Sequence, residues 1–311
     1  MLPVLLILLG VAGVLVGSDV SIAAAIRLAR RFGVPPLLIG LTLTSIGTSL
    51  PEIATNVAAG MSSRAGADAS GLMVGNIIGS CLSQVTLLLG LVGLTATLPR
   101  PKSFLRDGVM MMLAAGLMLA VCFDGVARPI EGVVLMAVYF AYLVVLIRGT
   151  PREDAKEEEG GNLLRDLAAV FGGLMVVVFC ADLVIDQAIA LAQALGTPDV
   201  VIGLILGLGT GIPELTVAIQ AARKGSTDLG LGNLIGSNIT DPLLSFSAGV
   251  VIHEVTVTRD ILTFDFPVWI GVSALALWFI HTHERLSRTE SGLLVTLFFG
   301  YLGVRTFVIG G

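Results

Sequence analysis

Two stretches decide the fold: GVPPLLIGLTLTSIGTSLPE, from Gly33 to Glu52, and GTPDVVIGLILGLGTGIPE, from Gly196 to Glu214. Each begins at a glycine, runs apolar for the length of a membrane helix, and ends on proline followed by glutamate. Further along each half lies a second matching block, GNIIGSCLSQ (Gly75 to Gln84) and GNLIGSNITD (Gly232 to Asp241). Upstream, Asp19 stands 14 residues before Gly33, and Asp182 stands 14 before Gly196. The chain is an internal duplication.

Composition says where the two copies live. Of 311 residues, 55% are hydrophobic and only 13% charged, and mean hydropathy is +0.95; soluble domains carry about 25% charge. This excludes a water-soluble enzyme, and it excludes disorder, which needs the opposite balance. Many glycines with few aromatics are the composition of closely packed membrane helices. No basic patch interleaves with aromatics, so nucleic acid is not a partner. Cys81, Cys122 and Cys180 sit singly in apolar stretches and read as buried thiols. The first sixteen residues lack a basic start and a cleavage site, and read as a first membrane helix rather than a leader.

A bilayer core needs about 20 apolar residues per helix. Ten stretches qualify: 2–26, 35–60, 69–96, 105–123, 129–147, 166–194, 198–221, 228–252, 262–280 and 290–309. The expected fold class is an all-α polytopic membrane protein, with ten transmembrane helices in two inverted five-helix repeats and broken helices at the midplane. Residues 1–148 form the first repeat, 149–164 an acidic cytoplasmic linker and 165–311 the second repeat, within one membrane domain. Five spans per half is odd, so the second copy enters from the opposite side, as in many secondary transporters. With this layout, 14 of the 18 Lys and Arg residues fall on one side, and only Arg64, Arg128, Arg259 and Arg305 on the other. By the positive-inside rule the richer side is cytoplasmic and both termini lie outside. Trp269 and Trp278 fall near the two ends of the ninth span, where interfacial aromatics are expected. The linker, with Glu153, Asp154, Glu157, Glu158 and Glu159, reads as a solvated connection too short for a folded regulatory domain. That suggests the cytoplasmic (inner) membrane of a bacterium or archaeon.

Ser45, Thr48, Ser49, Glu52 and Asn56 share one helical face in the second span. A carboxylate near the bilayer centre costs about 2.5–3.5 kcal/mol on insertion scales, so it must face protein or water. Gly207, Thr210, Gly211 and Glu214 repeat the stripe more weakly in the seventh span. Pro51 and Pro213 lack an N–H and release the carbonyls of Gly47 and Gly209. In spans three and eight, Asn76, Ser80 and Gln84 lie on one face, and Asn233, Ser237 and Asp241 are their counterparts; Pro242 releases the carbonyl of Asn238. The expected pocket has Glu52, Glu214, Asp241 and Gln84 at its centre, with Thr48, Ser49, Thr210, Ser80 and Ser237 around them. Such an all-oxygen set suits a hard cation such as Ca²⁺. The asparagines read equally well as glue between helices. Asp19 and Asp182 line the path or tie helices together; Asp186 reads as solvated, and His281 and His283 as juxtamembrane rather than metal-binding.

With these blocks in hand, the sequence resembles the cation/calcium exchanger superfamily, in particular its prokaryotic sodium/calcium exchangers. GTSLPE (Gly47–Glu52) and GTGIPE (Gly209–Glu214) are similar to its signature repeats, as are GNIIGS and GNLIGSNITD. The resemblance covers essentially the whole chain. It implies that Glu52 and Glu214 are the chief Ca²⁺ ligands and also meet Na⁺. It implies that Thr48 and Thr210 lend backbone and hydroxyl oxygen, that Ser49, Ser80 and Ser237 serve Na⁺, and that Asp241 is a neighbouring acid. Ser45 and Gly207 match positions that lend carbonyl oxygen. Three departures bear on Na⁺ more than on the glutamates. Gly211 stands where the family has serine, and Gln84 where an asparagine is common. The second half is also one residue shorter between glycine and glutamate (Gly203 to Glu214 against Gly40 to Glu52), which turns the start of that helix by about 100°. Cys81 stands opposite Asn238.

The expected function is a secondary antiporter exchanging Ca²⁺ for Na⁺ by alternating access, with no cofactor beyond the transported ions, the bilayer as its surroundings and no enzymatic activity. H⁺ in place of Na⁺ is the nearest alternative, and a cation channel a remote one. No GxSxG, HExxH or paired membrane-aspartate motif points to a hydrolase.

Overall fold

A computed structural model describes residues 2–150, 162–194 and 211–310. Among these, seven helices are long and apolar enough to cross a membrane: Pro3–Phe32, Ser70–Thr95, Phe104–Cys122, Pro129–Gly149, Leu163–Leu191, Ile261–His283 and Arg288–Val308. A helix pair, Pro36–Thr48 with Leu50–Arg64, makes an eighth if taken as one broken span. The two remaining expected spans differ for separate reasons. The first part of 198–221 lies outside the described residues. The stretch 228–252 is helical from Thr227 to Val250, but Asn233, Asn238 and Asp241 make it too polar to qualify on hydropathy.

The chain divides into two compact units, and each takes segments from both sequence halves: Met1–Thr48 with Pro151–Asn233, and Ser49–Thr150 with Leu234–Gly311.

The first unit is built on two long helices, α1 (Leu2–Phe32) and α9 (Leu163–Ala194). They pack along a row of small residues. A Cβ on Gly13 would stand 2.3 Å from Cys180 Sγ, and one on Gly17 2.7 Å from the Gly173 carbonyl oxygen. Lipid supplies no hydrophobic drive between helices, so such close backbone approach replaces it. Elsewhere these helices turn large apolar side chains outward, including Leu8 and Phe179. Arg27 Nε pairs with Asp166 at 2.8 Å, joining them. Short helices α2 (Pro36–Ile39) and α3 (Ser45–Thr48) flank a π-helical turn at Gly40–Thr44. Gly40 meets the glycine of the second block: its Cβ would lie 2.4 Å from Leu229 O, and that of Gly232 2.6 Å from Leu37 O.

The second unit contains α4 (Leu50–Arg64), α5 (Ser70–Ser83), α6 (Leu89–Thr95), α7 (Phe104–Cys122) and α8 (Pro129–Gly149) from the first half. From the second half come Leu234 onward and two long helices, Phe266–His283 and Arg288–Val304. Its core includes Tyr139, Phe246, Phe266 and Trp269, all essentially unexposed. Trp269 is therefore an interior residue, contrary to the interfacial expectation; only Trp278 faces outward, at 58% exposure. Two small antiparallel clips close the unit. Leu98–Pro99 pairs with Arg285–Leu286, and Val126–Ala127 with Val255–Thr256. Asp265, buried, accepts Tyr301 Oη–H at 2.9 Å and pairs with Arg305 at 3.2 Å.

Candidate ion-binding site

The two Pro–Glu motifs fold alike. Ser49 precedes α4 with φ −81° and ψ 3°, and Gly211 precedes the helix Ile212–Arg223 with φ −85° and ψ 1°. Both residues sit in the sparsely used bridge region immediately before a helix begins; at Ser49 this is where α3 ends and α4 starts. Pro51 and Pro213 are each the second residue of their helix, where an N–H has no partner within the helix itself, and Glu52 and Glu214 lie in the first turn. A helix start favours a negative charge through its exposed N–H groups. Both glutamates are buried, at 2% and 0% exposure.

The second blocks also fold alike. Helices Ser70–Ser83 and Thr227–Thr240 are each followed by a five-residue π-helical turn, Gln84–Leu88 and Asp241–Ser245. Gln84 and Asp241 open these turns. A π turn widens the helix by one residue and leaves backbone groups less regularly paired, a frequent device at functional sites.

In the second unit, Glu52, Ser80, Gln84, Asn238 and Asp241 form one hydrogen-bonded network. Ser80 Oγ donates to Glu52 Oε1 at 3.2 Å, and Gln84 Nε2 donates to Ser80 Oγ at 3.0 Å and to Asp241 Oδ2 at 3.1 Å. Ser245 Oγ donates to Asp241 Oδ1 at 3.3 Å. Asn238 Nδ2 donates to Gln84 Oε1 at 2.7 Å, and Trp269 Nε1 donates to Asn238 Oδ1 at 3.4 Å. Asn76 Nδ2 reaches Glu52 O and Asn56 Oδ1. The Ser237 hydroxyl is fully buried and has no hydrogen-bond partner among the described residues.

In the first unit, Thr48 Oγ1 donates to Ser45 O at 3.3 Å and to Asn233 Oδ1 at 3.4 Å. Thr48, Asn233 and Glu214 are all unexposed. Thr210, Gly207 and the shortened Gly203–Gly209 segment lie outside the described residues. Asp19 is an exposed partner of Lys224 at 2.7 Å, and Asp182 is exposed. Sequence reasoning missed Trp269 and the bridging role of Asn238; only the mismatch of Asn238 with Cys81 hinted at the latter. Among the described residues no three acids, histidines or cysteines cluster as a metal group. A cation here would rest on hydroxyl, amide and carbonyl oxygens as much as on carboxylates.

The profile of the family described as "Sodium/calcium exchanger protein" matches residues 2–148 and 166–307. The chain belongs to this family. The exchanger is thus a multi-pass membrane protein of a transporter family, not of a family of catalysts. It is 29% identical to sodium/calcium exchanger MaX1 of Methanosarcina acetivorans, over 98% of each chain. It is 30% identical to inner membrane protein YrbG of Escherichia coli, over 89% of each. Among solved structures, the sodium-calcium exchanger NCX_Mj soaked with zero Na⁺ and Ca²⁺ superposes on the exchanger with a TM-score of 0.85 at 28% identity, covering 98% of this chain and 99% of that one.

Proposed function

We propose that the exchanger moves Ca²⁺ against Na⁺ across the cytoplasmic membrane of a prokaryote, through ten spans arranged as two inverted halves with both termini outside. Glu52 and Glu214 are the chief ligands of the divalent cation. Thr48, Thr210, Ser49, Ser80 and Ser237 add oxygens, and Asp241 and Gln84 stand beside them. The observation that carries this reading is the duplicated Pro–Glu helix start. Two Pro–Glu motifs, from opposite halves, each put a buried carboxylate in the first turn behind a bridge-region residue. Supporting it, the Ser237 hydroxyl is buried without a partner among the described residues, a cost of about 1–3 kcal/mol that a bound cation would recover.

One pocket takes Ca²⁺ or Na⁺, not both. Binding neutralises carboxylates and lowers the cost of carrying them through an occluded state, so the empty carrier crosses poorly and exchange stays coupled. Helices α1 and α9, locked by Gly13 against Cys180 and Gly17 against Gly173, move as a pair to alternate access. The test is ⁴⁵Ca²⁺ uptake into proteoliposomes of the purified protein, driven by an outward Na⁺ gradient or by a pH gradient of matched size. Uptake on the Na⁺ gradient is the expected result. Uptake on the pH gradient alone replaces Na⁺ with H⁺, a reading favoured by Gly211, which brings no hydroxyl. Currents too large for a carrier in planar bilayers would make it a channel.

A further inference from the structure

The network in the second unit has a fixed polarity, because both of its outer partners are unambiguous. An indole N–H only donates, and a backbone carbonyl only accepts. Trp269 Nε1 donates to Asn238 Oδ1, while Asn238 Nδ2 donates to Leu234 O at 3.2 Å. These two contacts set which way round the Asn238 amide stands. The same Nδ2 then donates to Gln84 Oε1 at 2.7 Å, and this sets Gln84 in turn. Its oxygen is committed to Asn238, and its nitrogen points at Asp241 Oδ2 and Ser80 Oγ. Asn238 and Asp241 are wholly buried and Gln84 nearly so, at 1% exposure, so water does not scramble the order. An oxygen of Gln84 facing Asp241 would extend a cation cage; its N–H₂ fills that place with a hydrogen-bond donor.

We propose that Trp269 and Asn238 are positioning residues that hold the Gln84 amide as a permanent donor on Asp241, occupying a place a monovalent cation would otherwise take. The inference rests on the Na⁺-binding pocket proposed above. Releasing the amide lets it turn over, present Oε1 to Asp241 and Ser80, and open a further place for Na⁺. Trp269→Phe removes the first donor while keeping an aromatic ring. Asn238→Ala removes the bridge itself, and serves if the tryptophan variant fails to fold.

The readout is thermal unfolding of the detergent-solubilised protein against Na⁺ concentration, since a ligand that binds the folded state raises the transition. Wild type, Trp269→Phe and Asn238→Ala are compared, with Ca²⁺ titrations alongside. The expected result is a fall of about threefold to tenfold in the Na⁺ concentration giving half-maximal stabilisation in the variants, the weight of one net hydrogen bond, with Ca²⁺ titrations unchanged. A packing role alone would lower the transition temperature and leave the Na⁺ midpoint in place. Identical Na⁺ midpoints in all three proteins therefore overturn the inference. Wild type that unfolds normally but moves no Ca²⁺ on a Na⁺ gradient overturns the function reading instead, and the unfolding curves still decide the inference.

Discussion

Glu52 and Glu214 are acids that an apolar stretch tolerates only for a purpose. Replacing either with Gln keeps shape and hydrogen-bonding capacity but removes the charge that a divalent ion needs. Uptake of ⁴⁵Ca²⁺ by Glu52→Gln or Glu214→Gln is expected to fall to the background of empty liposomes, with a near-normal elution profile on size exclusion. Normal flux would remove that residue from the ligand set. These glutamates were legible from sequence, because a carboxylate among leucines and glycines stands out without any tertiary information. Gln84 was legible as a position but not as an orientation: its residue type offers both oxygen and nitrogen, and its surroundings choose. Trp269 was misread because its place near a helix end fits an interfacial ring as well as a buried one. What lies across from an indole is a fact of packing, not of periodicity.

At the scale of single elements, the break at Ser49 is held open by a missing donor. Pro51→Ala restores an N–H able to bond the Gly47 carbonyl. One added helical hydrogen bond of about 1 kcal/mol should raise thermal stability slightly while Ca²⁺ uptake falls; uptake at the wild-type rate would mean that the break is incidental. The Gly40–Gly232 crossing behaves oppositely. A methyl on Gly40 would press on the Leu229 and Asn233 backbone at 2.4 and 2.9 Å. Gly40→Ala is thus expected to lose about 1–3 kcal/mol by overpacking, read as a lower unfolding temperature. Outside the membrane, Asp68 Oδ1 accepts the Ser70 N–H at 3.0 Å at the start of α5, and that bond lowers its pKa from the ordinary carboxylate value. A depressed folded-state pKa stabilises above the unfolded value and is lost as pH falls through the folded one. The stability gap between wild type and Asp68→Ala should therefore be present at neutral pH and close on acidification below about pH 4. The helices themselves were readable from apolar runs. The π turns at Gln84 and Asp241 were not, because one extra residue per turn leaves no mark in a pattern of polar residues four apart.

Over the whole molecule, the distribution of arginine and lysine predicts an orientation that labelling can test. In a background without the native cysteines, Thr150→Cys should react with a membrane-impermeant maleimide only in inside-out vesicles, and Ala67→Cys only in right-side-out ones. The reverse pattern would invert the assignment. The duplication was plain in the sequence, whereas the grouping of segments into units was not, since each unit draws on both halves. The two β clips carry that interleaving further. Leu98–Pro99 and Val126–Ala127 belong to the first half, and their partners, Arg285–Leu286 and Val255–Thr256, to the second. Each clip is thus a seam between the halves, and the loops it joins, after the third and ninth expected spans or the fourth and eighth, exchange roles when the halves are swapped. A chain severed within 151–161 retains both seams, so fragments ending at Thr150 and starting at Asn162 should assemble when expressed together. Two separate half-length polypeptides meeting in opposite orientations would have had the same seams available before a single gene ever joined them.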